Sequence, residues 1–148
     1  MESDNDPLKL KNQLCFPIYL CSKEIIRKYT PLLNEINLTY TQYIVMMYFW
    51  EKEKSNVKEI GNTLLLDSST LTPLLKKLEK KGYITRARST KDERNLEIVI
   101  TEEGKKLKNK AILIPEKMGK CISLSKEEVA TLYSLMYKVL TNVERDEL

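Results

Sequence analysis

DSSTLTPLLKKLEKKGYITRAR, residues 67–88, contains a helix, its stop and the beginning of a strand. Asp67 or Ser68 offers a side-chain oxygen to the first free amides of a helix. Leu71, Leu74, Leu75 and Leu78 recur at helical spacing and predict its buried stripe. Pro73 is expected in about the first turn, where proline is tolerated. Gly82 ends the helix. Beyond it the period changes: YITRAR and LEIVIT read as two strands around a polar, charged tip, STKDERN. Upstream, Val57 to Leu65 reads as a short helix with Val57, Ile60 and Leu64 on one face. EKEKSN before it reads as a loop. A further helix, capped by Thr39 or Thr41, runs to about Trp50. Helix, helix and hairpin make a winged helix-turn-helix.

The flanks are helical as well. Residues 8 to 30 read as one long amphipathic helix, kinked near its start by Pro17. Pro31 kinks the next turn or opens a continuation through Glu35. Thr101 starts a helix that runs to about Ile114, and Ser125 caps the last one, LSKEEVATLYSLMYKVLTNV. The expected fold is therefore mainly α with a small β wing. A single domain, 1–148, has its winged helix-turn-helix lobe at 40–101 and dimerisation helices at 8–36 and 102–146. The broad apolar faces of those helices need a cover, and a second copy of the chain is the simplest one.

Composition narrows the chemistry. The 148 residues include no histidine and three cysteines. That removes the common His-based zinc sites, serine triads and Cys-His pairs, and no metal or cofactor is expected. The acidic start lacks a signal-peptide pattern and no stretch approaches a membrane span, so a cytoplasmic location is expected, where structural disulfides are rare. Residues 68 to 94 hold eight basic and three acidic side chains, a net +5 against +4 for the whole chain, so the remainder is −1. A near-neutral body with one basic segment suggests an anionic partner there, against the plainer reading of a solvated helix face. Ser68, Ser69, Thr70 and Thr72 supply small donors at the helix start. Lys76, Lys77, Lys80 and Lys81 lie opposite the leucines, and Arg86, Arg88 and Arg94 flank the strand tip. Such a set suits phosphates and base edges.

CFPIYLC, residues 15–21, places two cysteines six apart. On a helix they point about 120° apart and lie about 9 Å apart along the axis, beyond the roughly 7 Å of a disulfide. Cys15 and Tyr19 share a face. Tyr29 is about 21 Å further along the same helix and can reach only a partner's Cys15. Without more, Cys15 reads as a small buried hydrophobe.

DSSTLTPLLKKLEKKGYITR with KDERN resembles the MarR family of winged-helix repressors. KNQLCFPIYLCSKEI, with Tyr29 and INLTYTQY, is similar to the family's organic hydroperoxide resistance regulators. The resemblance covers about residues 8 to 143. Ser69 departs from the glycine often found at that place, which bears on operator preference rather than fold. The resemblance implies a homodimeric repressor, not an enzyme, whose two lobes straddle a pseudo-palindromic double-stranded operator. It implies that Arg94 enters a minor groove and that Asp92 holds the wing arginine. It implies that Cys15 is oxidised by organic hydroperoxides in an apolar setting (Phe16, Ile18, Met46, Met47). Phenol donors from Tyr29 and Tyr40 across the dimer, with Tyr19 in support, would favour the thiolate. It also implies that Cys121 of the other subunit closes a disulfide with Cys15, Cys21 being a bland thiol, and that oxidation frees the operator. Other relatives bind small aromatic acids or govern virulence and biofilm genes, and both readings stand beside this one. A thiol peroxidase is disfavoured by the basic segment and by the lack of a thioredoxin-like pattern.

Overall fold

The computed structural model describes residues 6–91 and 95–145. The wing-tip expectations for Asp92 and Arg94 lie outside the described residues. A 3-10 turn at Leu10–Asn12 is followed by α1 (Cys15–Asn34), α2 (Tyr40–Lys52), β1 (Lys54–Asn56), α3 (Val57–Leu64) and α4 (Ser68–Lys80). Then come β2 (Ile84–Arg88), β3 (Leu96–Ile100), α5 (Glu102–Ala111), α6 (Ile114–Ile122) and α7 (Lys126–Arg145). The chain divides into two compact units, Met1–Ile112 and Leu113–Leu148.

In the first unit, side-chain caps fix where helices begin. Thr39 and Gln42 form a reciprocal capping box on α2. Asn56, Asp67 and Thr101 cap α3, α4 and α5. The helix-turn-helix packs Ile60, Leu71, Leu75 and Leu78 against Phe49 of α2 and Ile84 and Ile98 of the sheet, all essentially fully buried. Gly82, at φ 80°, ends α4. The Gly82 N–H donates to the Glu79 carbonyl (2.9 Å) and the Tyr83 N–H to that of Leu78 (3.1 Å), the paired closure that a left-handed residue allows. β2 leaves from there and pairs antiparallel with β3, Ile84 opposite Ile100 and Arg88 opposite Leu96.

Several expectations need correction. EKEKSN is not all loop: Lys54–Asn56 forms β1, pairing with β3 (Ser55 opposite Ile98), which makes a three-stranded sheet of order β1-β3-β2. α1 starts at Cys15, not near Leu8. Pro17 is therefore its third residue, where no intrahelical hydrogen bond is lost and no kink follows. Pro31 lies inside α1, which continues to Asn34. Pro73 is the sixth residue of α4, past the first turn, and removes the Ser69 carbonyl's intrahelical donor.

The second unit holds α6 and α7. α5 ends at Ala111, three residues before the expected end at about Ile114, and a separate helix, α6, opens with Pro115 in its first turn. Cys121 lies inside α6. Ser125 and Glu128 cap α7 reciprocally, Glu128 N–H to Ser125 Oγ at 3.1 Å and Ser125 N–H to Glu128 Oε2 at 2.8 Å. α7 leaves Leu132, Tyr133, Leu135, Tyr137 and Val143 exposed in the single chain. No helix of the described residues is long and apolar enough to cross a membrane.

Candidate nucleic-acid interface and thiol sites

α4 separates its two faces cleanly. Its leucines are buried, while Ser68, Ser69, Thr70, Lys76, Lys77 and Lys80 are exposed and Thr72 is half-buried. At its start the Asp67 carboxylate accepts from the Ser69 hydroxyl (2.5 Å) and the Thr70 N–H (2.8 Å). Those bonds hold the Asp67 carboxyl below its usual range. The Ser69 hydroxyl donor is thus used in the cap, which leaves its oxygen to accept. The Thr70 side chain also bonds Asp67, so the Ser68 hydroxyl and the three lysines Lys76, Lys77 and Lys80 remain the outward set.

Two expected members of that set are turned inward. The Arg86 guanidinium donates twice to Glu79 Oε2, Nε at 2.8 Å and Nη2 at 2.6 Å, and its backbone N–H reaches Oε1 at 3.2 Å. The Arg86 side chain is only 20% exposed, so it clamps β2 to α4 instead of standing free at the surface. The same hydrogen bonds keep the Glu79 carboxyl below its usual range. Lys81 reaches the Asn37 carbonyl and the Gln42 side chain. Arg88 stays exposed on β2.

All three cysteines are free and exposed in the single chain, so Cys15 is not core filling. It is the first residue of a 20-residue helix. Backbone N–H groups there have no intrahelical acceptor, an environment that favours negative charge. Leu14 and Tyr19 beside it are exposed, with Phe16 and Ile18 half-buried, while Met46 is buried and Met47 partly exposed. Continuous helix from Cys15 through Tyr29 places that ring well away from the thiol of its own chain.

The tyrosines form a cluster larger than expected. Tyr29 and Tyr40 have ring centroids 5.0 Å apart, Tyr43 lies 5.9 Å and 6.4 Å from them, and Trp50 6.2 Å from Tyr43. Burial, then the neighbouring Tyr40, pushes the Tyr29 phenol up. Tyr43 rises for the same reasons, with Tyr29 and Tyr40 both contributing. Tyr29 therefore stays a protonated donor. Tyr43 is legible three residues after Tyr40, and Gln42 as the capping-box partner of Thr39; Glu79 carries no local signal for its bond to Arg86. No group of described residues is placed to hold a metal ion.

The profile of the family described as "Transcriptional regulator SarA/Rot" matches residues 27–111. The chain belongs to the SarA/Rot family. This SarA/Rot chain is 45% identical to the organic hydroperoxide resistance transcriptional regulator of Bacillus subtilis over 148 residues, 98% of this chain and 99% of that one. It is 51% identical over 123 residues to the HTH-type transcriptional regulator SarZ of Staphylococcus aureus, covering 83% of each. Its fold matches reduced AbfR bound to DNA with a TM-score of 0.77 at 31% identity, over 90% of this chain and 94% of that one. Disulfide-formed AbfR matches at 0.65 and 32%, over 93% of each. The winged-helix fold and the MarR-type hydroperoxide-regulator branch named from the sequence agree with these relatives.

Proposed function

We propose that this protein is a homodimeric, DNA-binding repressor that senses organic hydroperoxides through Cys15 and leaves its operator when oxidised. One observation carries the reading. The first compact unit joins an exposed, unpaired thiol at the start of α1 to an α4 whose hydroxyls and lysines face outward, opposite a buried leucine stripe. The SarZ and hydroperoxide-regulator relatives, and AbfR solved both on DNA and in a disulfide form, support it.

α4 enters a major groove, with Ser68, Thr70, Lys76 and Lys77 on phosphates and base edges. α7's exposed apolar side chains bury against the second copy, which spaces two lobes over half-sites about 34 Å apart. The Cys15 sulfur attacks one peroxide oxygen, and the O–O bond breaks. An alcohol departs with the proton, leaving a sulfenic acid. Cys121 of the other protomer attacks that sulfur, an S–S bond forms and water leaves. Tyr29 and Tyr40 of the partner chain donate to the thiolate before attack, with Tyr19 in support. Rearrangement at the thiol then alters lobe spacing and lowers affinity.

The test uses a labelled duplex selected in vitro on the reduced protein. One equivalent of cumene hydroperoxide is expected to release it, with a covalent dimer on a non-reducing gel that disappears in Cys121→Ser and persists in Cys21→Ser. Release without that band sinks the Cys121 step; no release sinks the sensing reading. On the same duplex, Lys77→Ala should weaken binding and lower the salt slope by about 1. A slope equal to wild type would take Lys77 off the phosphates.

A further inference from the structure

Lys81 ends α4 but does not join the outward lysines. Its ammonium donates to the Asn37 carbonyl at 2.6 Å and to Gln42 Oε1 at 2.9 Å. Asn37, at φ 55°, belongs to the turn between α1 and α2. Backbone bonds close that turn: Asn37 N–H to Asn34 (3.1 Å) and Leu38 N–H to Leu33 (3.0 Å). Gln42 is 4% exposed, and its Oε1 also accepts the Thr39 N–H at 3.1 Å. One buried oxygen therefore receives both the start of α2 and the end of α4. Partial burial, then the charge of Lys77, holds the Lys81 ammonium below the usual lysine range.

The tyrosines flank the same turn. Tyr29 sits in the later part of α1 and Tyr40 is the first residue of α2, so their ring contact spans the helix ends that the Asn37 turn connects. A change in that contact would bear on the turn at Asn37. Lys81 is bonded to the turn itself, through Asn37, and to the first turn of α2, through Gln42. α4 runs from Ser68 to Lys80 as one continuous helix, lacking only the hydrogen bond that Pro73 cannot donate. Movement at Lys81 therefore tilts a lever about 20 Å long whose far end carries the Ser68 and Thr70 hydroxyls.

We propose that Lys81 is a positioning residue that couples the tyrosine turn to the recognition helix, so that rearrangement at the tyrosines is felt at the DNA-binding face. This rests on the thiol-sensing, DNA-binding reading above. Coupling is a ratio of affinities between two states, and it differs from a contribution to either state alone.

The experiment measures affinity for the selected duplex before and after one equivalent of cumene hydroperoxide, in wild type, Lys81→Met and Lys81→Arg, with thermal melts of each. Wild type should lose affinity by about tenfold or more on oxidation. Lys81→Met should keep most of its reduced-state affinity and lose no more than about threefold on oxidation, with Lys81→Arg restoring most of the wild-type ratio. An equal loss of affinity in both redox states, with the wild-type ratio kept, would make Lys81 an ordinary phosphate contact and overturn the coupling. Should Lys81→Met melt at the assay temperature, Lys81→Gln, which keeps a neutral donor toward Asn37, is read by the same ratio. A wild-type protein indifferent to peroxide overturns the sensing reading itself, a result distinct from a Lys81 variant that responds as wild type does.

Discussion

A Cys15→Ser protein is expected to stay on its DNA at peroxide levels that strip the wild type. Oxygen replaces sulfur with little change in size at an exposed position, so fold stability should move by no more than about 0.5 kcal/mol. Reduced-state affinity should be nearly unchanged, because the α4 face is separate from the thiol. What disappears is the nucleophile: an alcohol does not take oxygen from a peroxide as a thiolate does. Anisotropy titration with cumene hydroperoxide should give a flat curve for the variant. A curve that falls like the wild type's would move sensing to Cys21, Cys121 or a bound ligand.

The largest stability effect is expected away from any reactive group. A side chain at Gly104 would run into the Tyr83 backbone carbonyl and approach Ile100 Cγ1 at 2.8 Å. That carbonyl is committed, accepting the Thr101 N–H at 3.0 Å, and the Gly104 carbonyl accepts from Trp50 Nε1 at 2.8 Å. The start of α5, the end of β3 and α2 are thus held together at a point with no room for a methyl group. Gly104→Ala should cost about 2–3 kcal/mol, since the obstructing atom is backbone and cannot rotate away. Chemical denaturation should show a lower midpoint with an unchanged slope. A midpoint within error of wild type would mean that α5 can shift outward freely.

The parts of the fold that could be read from sequence are those whose signals are local. α4 announced itself through Asp67, four leucines and Gly82, all within sixteen residues of sequence. β1 did not, because Lys54–Asn56 lacks alternation and becomes a strand only through its pairing with β3. Leu8 and Leu10 continued the apolar period of α1, yet both are exposed and precede the helix, since no cap or packing partner recruits them. The interface divides the same way. Lys76 and Lys77 followed from spacing on one helix. Arg86 and Lys81 looked equivalent to them, but their partners lie 7, 39 and 44 positions away, where periodicity carries no information. The tyrosine pair came from resemblance, and its contact with Tyr43 came from packing.

The capping pattern divides the molecule into stiff and soft ends. α2, α3, α4, α5 and α7 each begin with a side chain bonded to their first turn. α1 and α6 do not: the residues before them, Leu14 and Leu113, do not bond the first turn through their side chains. Those are the two helices that carry the cysteines. A missing cap makes fraying cheaper by about 1 kcal/mol. α6 also closes on Ser123 at φ 54°, a conformation that costs a non-glycine residue about 1–2 kcal/mol. A covalent change at Cys15 or Cys121 would therefore act beside helix ends held by fewer side-chain bonds than those of α2, α3, α4, α5 and α7.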